Sequence, residues 1–122
     1  NVSTDAHQMK ISASLLSSQD MFVGISNSGE TQELADAAKI AHEQGAFVAV
    51  VTNYKGSLIT KHADLVLITS AKSNVNDARF INTQTATTFL MDIICYLLLN
   101  NDYMNQLYQR TRRTVLEKGE DK

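Results

Sequence analysis

The chain has 122 residues, a length that suits one domain around one hydrophobic core. Its 43% hydrophobic and 20% charged content is that of an ordinary globular domain and excludes intrinsic disorder and collagen-like structure. Lys and Arg number 11 against 13 Asp and Glu, a net charge of −2, which excludes the broad basic field by which a protein holds DNA or RNA through its phosphates.

Cys95 is alone, so no intrachain disulfide forms. Every apolar stretch falls short of the ~20 residues that span a bilayer, and the N-terminus lacks the basic-then-apolar pattern of a signal peptide. The expectation is a cytoplasmic protein without membrane association. One domain is expected over residues 1–122, its charged tail frayed from about 117.

The first predicted element is a helix over residues 6–17, with Met9, Ile11, Ala13, Leu15 and Leu16 at helical spacing and Thr4 or Asp5 as cap. Met21-Phe22-Val23-Gly24-Ile25 is a continuous β-rich run stopped by Ser26-Asn27-Ser28-Gly29, which predicts a strand buried on both faces. An alanine-rich helix follows through Leu34, Ala35, Ala37, Ala38, Ile40 and Ala41, ended by Gly45. Phe47–Val51 is a second unalternating strand, followed by the turn Asn53-Tyr54-Lys55-Gly56-Ser57, a short segment from Leu58 to His62, and a third strand, Leu65–Ile68. Such strands separated by helical segments predict an α/β fold with a parallel sheet of at least three strands flanked by helices. After the polar loop 70–77, Arg79 to about Leu99 reads as a helix buried on two sides, because its apolar stripe is wide. Asn100-Asn101-Asp102 breaks it before a final amphipathic helix starting at Tyr103.

Chemistry concentrates in Ser26-Asn27-Ser28-Gly29-Glu30-Thr31, where a parallel strand ends and a helix begins. Ligands of open α/β sheets bind beyond the strand C-termini, and free amides with the positive end of the next helix dipole favour an anion there. Ser26, Ser28 and Thr31 add hydroxyl donors, and Gly29 permits a tight turn. The same residues also serve an ordinary capped turn, with Ser28 or Thr31 as N-cap; spacing alone does not choose between the two. An anion site requires Glu30 to face outward. The loop has neither the lysine of a nucleotide-hydrolase loop nor the three glycines of a dinucleotide fingerprint.

Ser-x-Ser-Gly-x-Thr after an apolar strand, an alanine-rich helix, Gly45-Ala46, a β-run ending in Thr52, and His62-Ala63-Asp64 before a further strand together resemble the sugar isomerase (SIS) domain over about Asp5 to Leu99. The resemblance implies a three-layer α-β-α fold and a phosphosugar cradle made of Ser26, Asn27, Ser28, Gly29 and Thr31. Asp5-Ala6-His7, Thr52 and Asp92 are most similar to the C-terminal effector domain of RpiR-type transcriptional regulators. The SIS resemblance implies a missing opening strand and Gly/Ser-rich loop ahead of Asp5, and the apolar sheet edge this would expose leads to the expectation of a homo-oligomer (dimer or higher); the RpiR likeness implies DNA contact only through a helix-turn-helix domain absent from this chain.

Asn74, Asn76 and Arg79, with Ser73, form a possible secondary ligand loop at the same end of the sheet, or else an ordinary solvated loop. An isomerase needs a base beside a carbonyl; Glu33, in the first turn after the cradle, is the foremost candidate, ahead of His7, His42 and His62. His42 suits a helix C-terminus and His62 a surface turn. One Cys and no close His pair give no metal site, and no cofactor is implied. Arg110, Arg112 and Arg113 lie among Glu117, Glu120 and Asp121 and read as a solvated or partner-contacting face. Cys95 reads as a buried core residue, and Tyr54 as an exposed turn aromatic able to stack on a sugar. Three functions remain: a phosphosugar sensor of carbohydrate metabolism, a phosphosugar isomerase, or a structural piece whose cradle binds nothing.

Overall fold

The computed structural model describes residues 2–69 and 79–117, and side chains in the second segment from residue 85. Its elements are α1 (Ala6–Ser14), β1 (Met21–Ile25), α2 (Gln32–Glu43), β2 (Phe47–Thr52), a 3-10 helix (Leu58–His62), β3 (Leu65–Ile68), α3 (Arg79–Leu99) and α4 (Asp102–Glu117). The chain divides into two compact units, Asn1–Ala86 and Thr87–Lys122.

Asp5 starts the first unit's helical structure, its Oδ1 accepting from the Gln8 amide at 2.9 Å, as an N-cap does. The helix stops at Ser14, three residues sooner than the apolar spacing predicts. Leu15 caps it and is 78% exposed, whereas Leu16, past the helix end, still packs against the core. α2 ends in a Schellman arrangement: Ala46 N–H donates to the Ala41 carbonyl (3.1 Å) and Gly45 N–H to that of His42 (2.9 Å), while Gly45 takes φ 82°. That is the left-handed stop expected from glycine at this position.

β1, β2 and β3 form a parallel sheet in that order. Met21 pairs with Phe47 and Ile25 with Val51, and Ala49 pairs with Leu65. Side chains alternate between faces. Val48 and Val50 of the central strand, with Phe22 and Val66, pack into one cluster with Leu34, Ala35, Ala37, Ala38 and Ala41 of α2 and with Ile59 of the 3-10 helix. The alanines let the helix approach the sheet closely, and each fully buried valine or isoleucine contributes about 1.5–3 kcal/mol. Asp64 fixes the start of the β2–β3 pair: its Oδ2 accepts from Val48 N–H and its own N–H donates to the Val48 carbonyl, both at 2.8 Å.

The expectation that β1 is buried on both faces is not met. Met21, Val23 and Ile25, on the face opposite α2, are about half exposed, whereas Val51 of the central strand is buried. β1 is an edge strand, and a continuous apolar run does not reveal which strand lies at the centre.

α3 has the predicted bounds and runs from the first unit into the second, where Asn101 links it to α4: Asn101 Oδ1 accepts from the amides of Tyr103 (3.1 Å) and Met104 (3.3 Å), an asparagine N-cap. The predicted two-sided burial of α3 is not met, since Phe89, Ile93, Leu97 and Leu98 are exposed. Cys95 is exposed as well, not buried as expected. A helix apolar around its whole circumference needs partners on two sides, and the described residues leave these positions uncovered. Arg110, Arg112 and Arg113 are exposed on α4, as a solvated face requires.

Candidate functional site

β1 ends at Ile25 and α2 begins at Gln32, so residues 26–31 form the strand-to-helix loop at the carboxyl edge of the sheet. Ser26 extends the pairing by one residue, its N–H donating to the Val51 carbonyl at 3.0 Å. It is buried, and its hydroxyl organises the turn: Gly29 N–H donates to both the Ser26 carbonyl and Oγ at 3.1 Å, and Ser26 Oγ shares a 3.0 Å hydrogen bond with Thr31 Oγ1. Ser28 Oγ accepts from Glu30 N–H at 3.2 Å. The structure thus brings Ser26, Asn27, Ser28, Gly29 and Thr31 together in one closed loop.

Thr31 occupies the N-cap position of α2 without a side-chain capping bond, because its hydroxyl is engaged with Ser26. The first amides of α2 therefore keep their donor capacity and the positive end of the helix dipole. Glu30 does face outward from the cradle: its Oε1 accepts from Leu58 N–H at 3.2 Å.

Gly29 is needed for two reasons. Its φ is +70°, and a Cβ there would collide with the Oγ and Cβ of Ser57 and lie 2.7 Å from Thr52 Oγ1. The loop is held from behind. Ile59 N–H donates to the Gly29 carbonyl (3.0 Å), Asn53 N–H to that of Asn27 (3.1 Å), and Thr52 Oγ1 to the same Asn27 oxygen (3.4 Å). Ser57 Oγ is the one buried side-chain polar atom without a hydrogen-bond partner among the described residues.

A groove of about 1120 Å³ opens on this loop. Ser26, Asn27, Ser28 and Thr31 line it with Asn53 and Tyr54; β1, the α1 residues Met9, Ser12 and Ala13, and Leu16 are among the other lining residues. None of the described lining residues is charged.

The base candidates fall elsewhere. Glu33 and His7 are exposed and do not line the groove. His42 is exposed in the last turn of α2, and its ring lies 6.0 Å from that of His62, a proximity across 20 positions that spacing does not signal. Tyr54 is exposed, as expected for a turn. Ser73, Asn74 and Asn76 lie outside the described residues, and Arg79 opens α3. Among the described residues no cluster of three or more His, Cys, Asp or Glu is placed to hold a metal ion, and no helix is long and apolar enough to cross a membrane. Sequence reasoning gave no role to Ser57 or Thr69, whose contacts join distant segments.

The SIS domain family model matches residues 1–96. An uncharacterized HTH-type transcriptional regulator of Haemophilus influenzae is 34% identical over 119 residues, covering 96% of this chain and 41% of that protein. The HTH-type transcriptional regulator RpiR of Escherichia coli is 29% identical over 113 residues, covering 91% of this chain and 38% of its own length. The chain spans about two fifths of the length of such relatives. In fold it resembles the Vibrio vulnificus NanR protein complexed with ManNAc-6P, with a TM-score of 0.81 at 24% identity over 94% of this chain and 44% of that one. A parallel sheet with its hydroxyl-rich loop at the carboxyl edge, together with the family match over residues 1–96, makes this chain a member of the SIS domain family.

Proposed function

We propose that residues 1–122 form the phosphosugar-binding effector domain of an RpiR-type transcriptional regulator of carbohydrate metabolism. The observation that carries this reading is the uncharged, hydroxyl-lined cradle at the N-terminus of α2. The names of the regulator relatives and the ManNAc-6P complex of NanR support it. In this reading the phosphate dianion takes hydrogen bonds from Ser26, Ser28, Thr31, the amides of Asn27 and Ser28, and the first turn of α2. The sugar occupies the groove beyond. The groove's described lining has no carboxylate or imidazole to move a proton, which supports binding over isomerisation.

The protein works in the cytoplasm as a homodimer or higher oligomer and reaches DNA through a helix-turn-helix domain. Sugar phosphate biases the arrangement of the oligomer by its differential affinity for two states. Calorimetric titration of the full-length protein with hexose, pentose and amino-sugar 6-phosphates tests the cradle: Ser28→Ala combined with Thr31→Ala abolishes binding, and unchanged affinity refutes the assignment. Light scattering tests the assembly, where a monodisperse monomer with and without ligand refutes it.

A further inference from the structure

Ser26, Asn53 and Thr69 are each the first residue past a strand, following β1, β2 and β3 respectively. Parallel pairing brings them side by side. Ser26 N–H donates to the Val51 carbonyl and Thr69 N–H to that of Thr52, both at 3.0 Å. The carboxyl edge of the sheet, where parallel α/β folds receive ligands, thus carries a polar row of which the phosphate cradle uses only the first member.

Asn53 differs from an ordinary turn asparagine. Its Oδ1 accepts from Thr69 Oγ1 at 2.6 Å, and Thr69 is only 5% exposed. A buried hydroxyl on the neighbouring strand end therefore sets the amide's orientation, in place of the local turn contact such residues usually make. Its main chain is fixed as well, the N–H donating to the Asn27 carbonyl inside the cradle loop at 3.1 Å. Asn53 is thus tied to the cradle loop through its main chain and to the residue that follows β3 through its side chain.

Asn53 lines the same groove as Ser26, Ser28 and Thr31. With Oδ1 engaged, the amide nitrogen offers two N–H donors, and no acceptor among the described residues takes either. A phosphate dianion is best met by convergent donors and a helix dipole, which α2 supplies. An oriented neutral donor farther along the row suits an uncharged oxygen, and rejects a ligand that has none there because the donor is then left unpaired.

We propose that Asn53 determines sugar specificity: its Nδ2–H donates to a hydroxyl or carbonyl oxygen of the sugar in a bound sugar phosphate. Thr69 is the positioning residue that sets the direction of that donor. This inference rests on the phosphosugar reading of the cradle.

The test is titration of full-length protein with its preferred sugar 6-phosphate and, separately, with inorganic phosphate, which occupies the cradle without a sugar. Asn53→Ala lowers sugar-phosphate affinity about tenfold or more and changes inorganic phosphate affinity by less than about twofold. Asn53→Ser is the second variant should the first fail to fold. Thr69→Val reproduces part of the selective loss, and Thr69→Ser, which keeps the hydroxyl, restores it; a merely structural role would lower both affinities together. Equal loss for the two ligands, or no loss for either, overturns the assignment while the cradle stands. If the wild-type protein binds inorganic phosphate and sugar phosphates equally well, the specificity role is likewise overturned. If it binds neither, the cradle reading fails first and this one with it.

Discussion

Gly29→Ala should destabilise the protein by about 2–5 kcal/mol, from two separable causes. The backbone at Gly29 has φ +70°, and placing an L-residue with a Cβ in the left-handed region costs about 1–2 kcal/mol. The new Cβ also collides with Oγ and Cβ of Ser57 and lies 2.7 Å from Thr52 Oγ1. Overpacking against groups that cannot retreat adds about 1–3 kcal/mol. Ser57 and Thr52 are both buried, and Thr52 caps the cradle from behind, so neither side chain has room to swing away. Equilibrium urea unfolding measures the loss as a lower midpoint at unchanged slope. Two companion variants separate the causes. Gly29→Asn relieves much of the backbone term, since asparagine tolerates the left-handed region, but keeps the collision and should remain destabilised. Ser57→Gly in the Gly29→Ala background removes both colliding Ser57 atoms, so the double variant should recover about 1 kcal/mol or more relative to additivity. A near-neutral Gly29→Asn, or strict additivity of Gly29→Ala with Ser57→Gly, would show that the collision does not contribute.

Ser57→Ala should raise stability by about 1 kcal/mol, because it removes a buried hydroxyl that has no partner among the described residues; a lower urea midpoint refutes this. Acid should destabilise the folded chain through two aspartates. Hydrogen bonds from the Lys10 ammonium, at 2.7 Å, and from Gln32 hold the Asp36 carboxyl below the usual range, and the Ser17 hydroxyl and amide do the same for Asp20. A carboxyl depressed in the folded state stabilises it above the unfolded pKa, so stability is lost as pH falls below about 4. Asp36→Asn with Asp20→Asn should flatten the fall of the urea midpoint between pH 5 and 2, to be read at ~1-unit steps, and an unchanged profile counts against both contacts. Sugar-phosphate affinity should rise as the ligand's own phosphate ionises, at a pKa of about 6, because the groove's described lining has no charged group. A calorimetric titration series that is flat across that range refutes dianion recognition.

The local signals in the sequence were strong where one segment decides the outcome. Met21–Ile25 has a strand's composition, Ser26–Thr31 a turn's chemistry, and Gly45 sits where α2 must stop; these three form within a residue or two of their predicted places, whereas α1 ends three residues early. The misreadings concern relations between segments. A continuous apolar run is compatible with a central or an edge strand, so the exposure of Met21, Val23 and Ile25 depends on neighbours that the run itself does not specify. Cys95 and the wide apolar stripe of α3 looked buried because hydrophobicity signals a need for partners, not their presence. Within the site, the hydroxyls were legible from type and spacing. The Asn53–Thr69 hydrogen bond, across 16 positions, and the contact that forbids a side chain at Gly29 required the strand register.

In the phosphosugar reading proposed above, that register also accounts for anion binding by a cradle whose described lining is uncharged. Without a lysine or arginine, each hydroxyl or amide bond to phosphate replaces one to water and gains little alone. The gain must come from donors already fixed in place, so that ordering them costs little on binding. The structure has this property: Ile59 and Leu58 tether the loop at Gly29 and Glu30, Asn53 and Thr52 tether it at Asn27, and Ser26 ties its start to Thr31 at its end. The donors of the cradle are held by β2 and the 3-10 helix as much as by their own loop. In that reading a ligand that shifts the loop must displace those neighbours too, which couples binding at the loop to the sheet behind it.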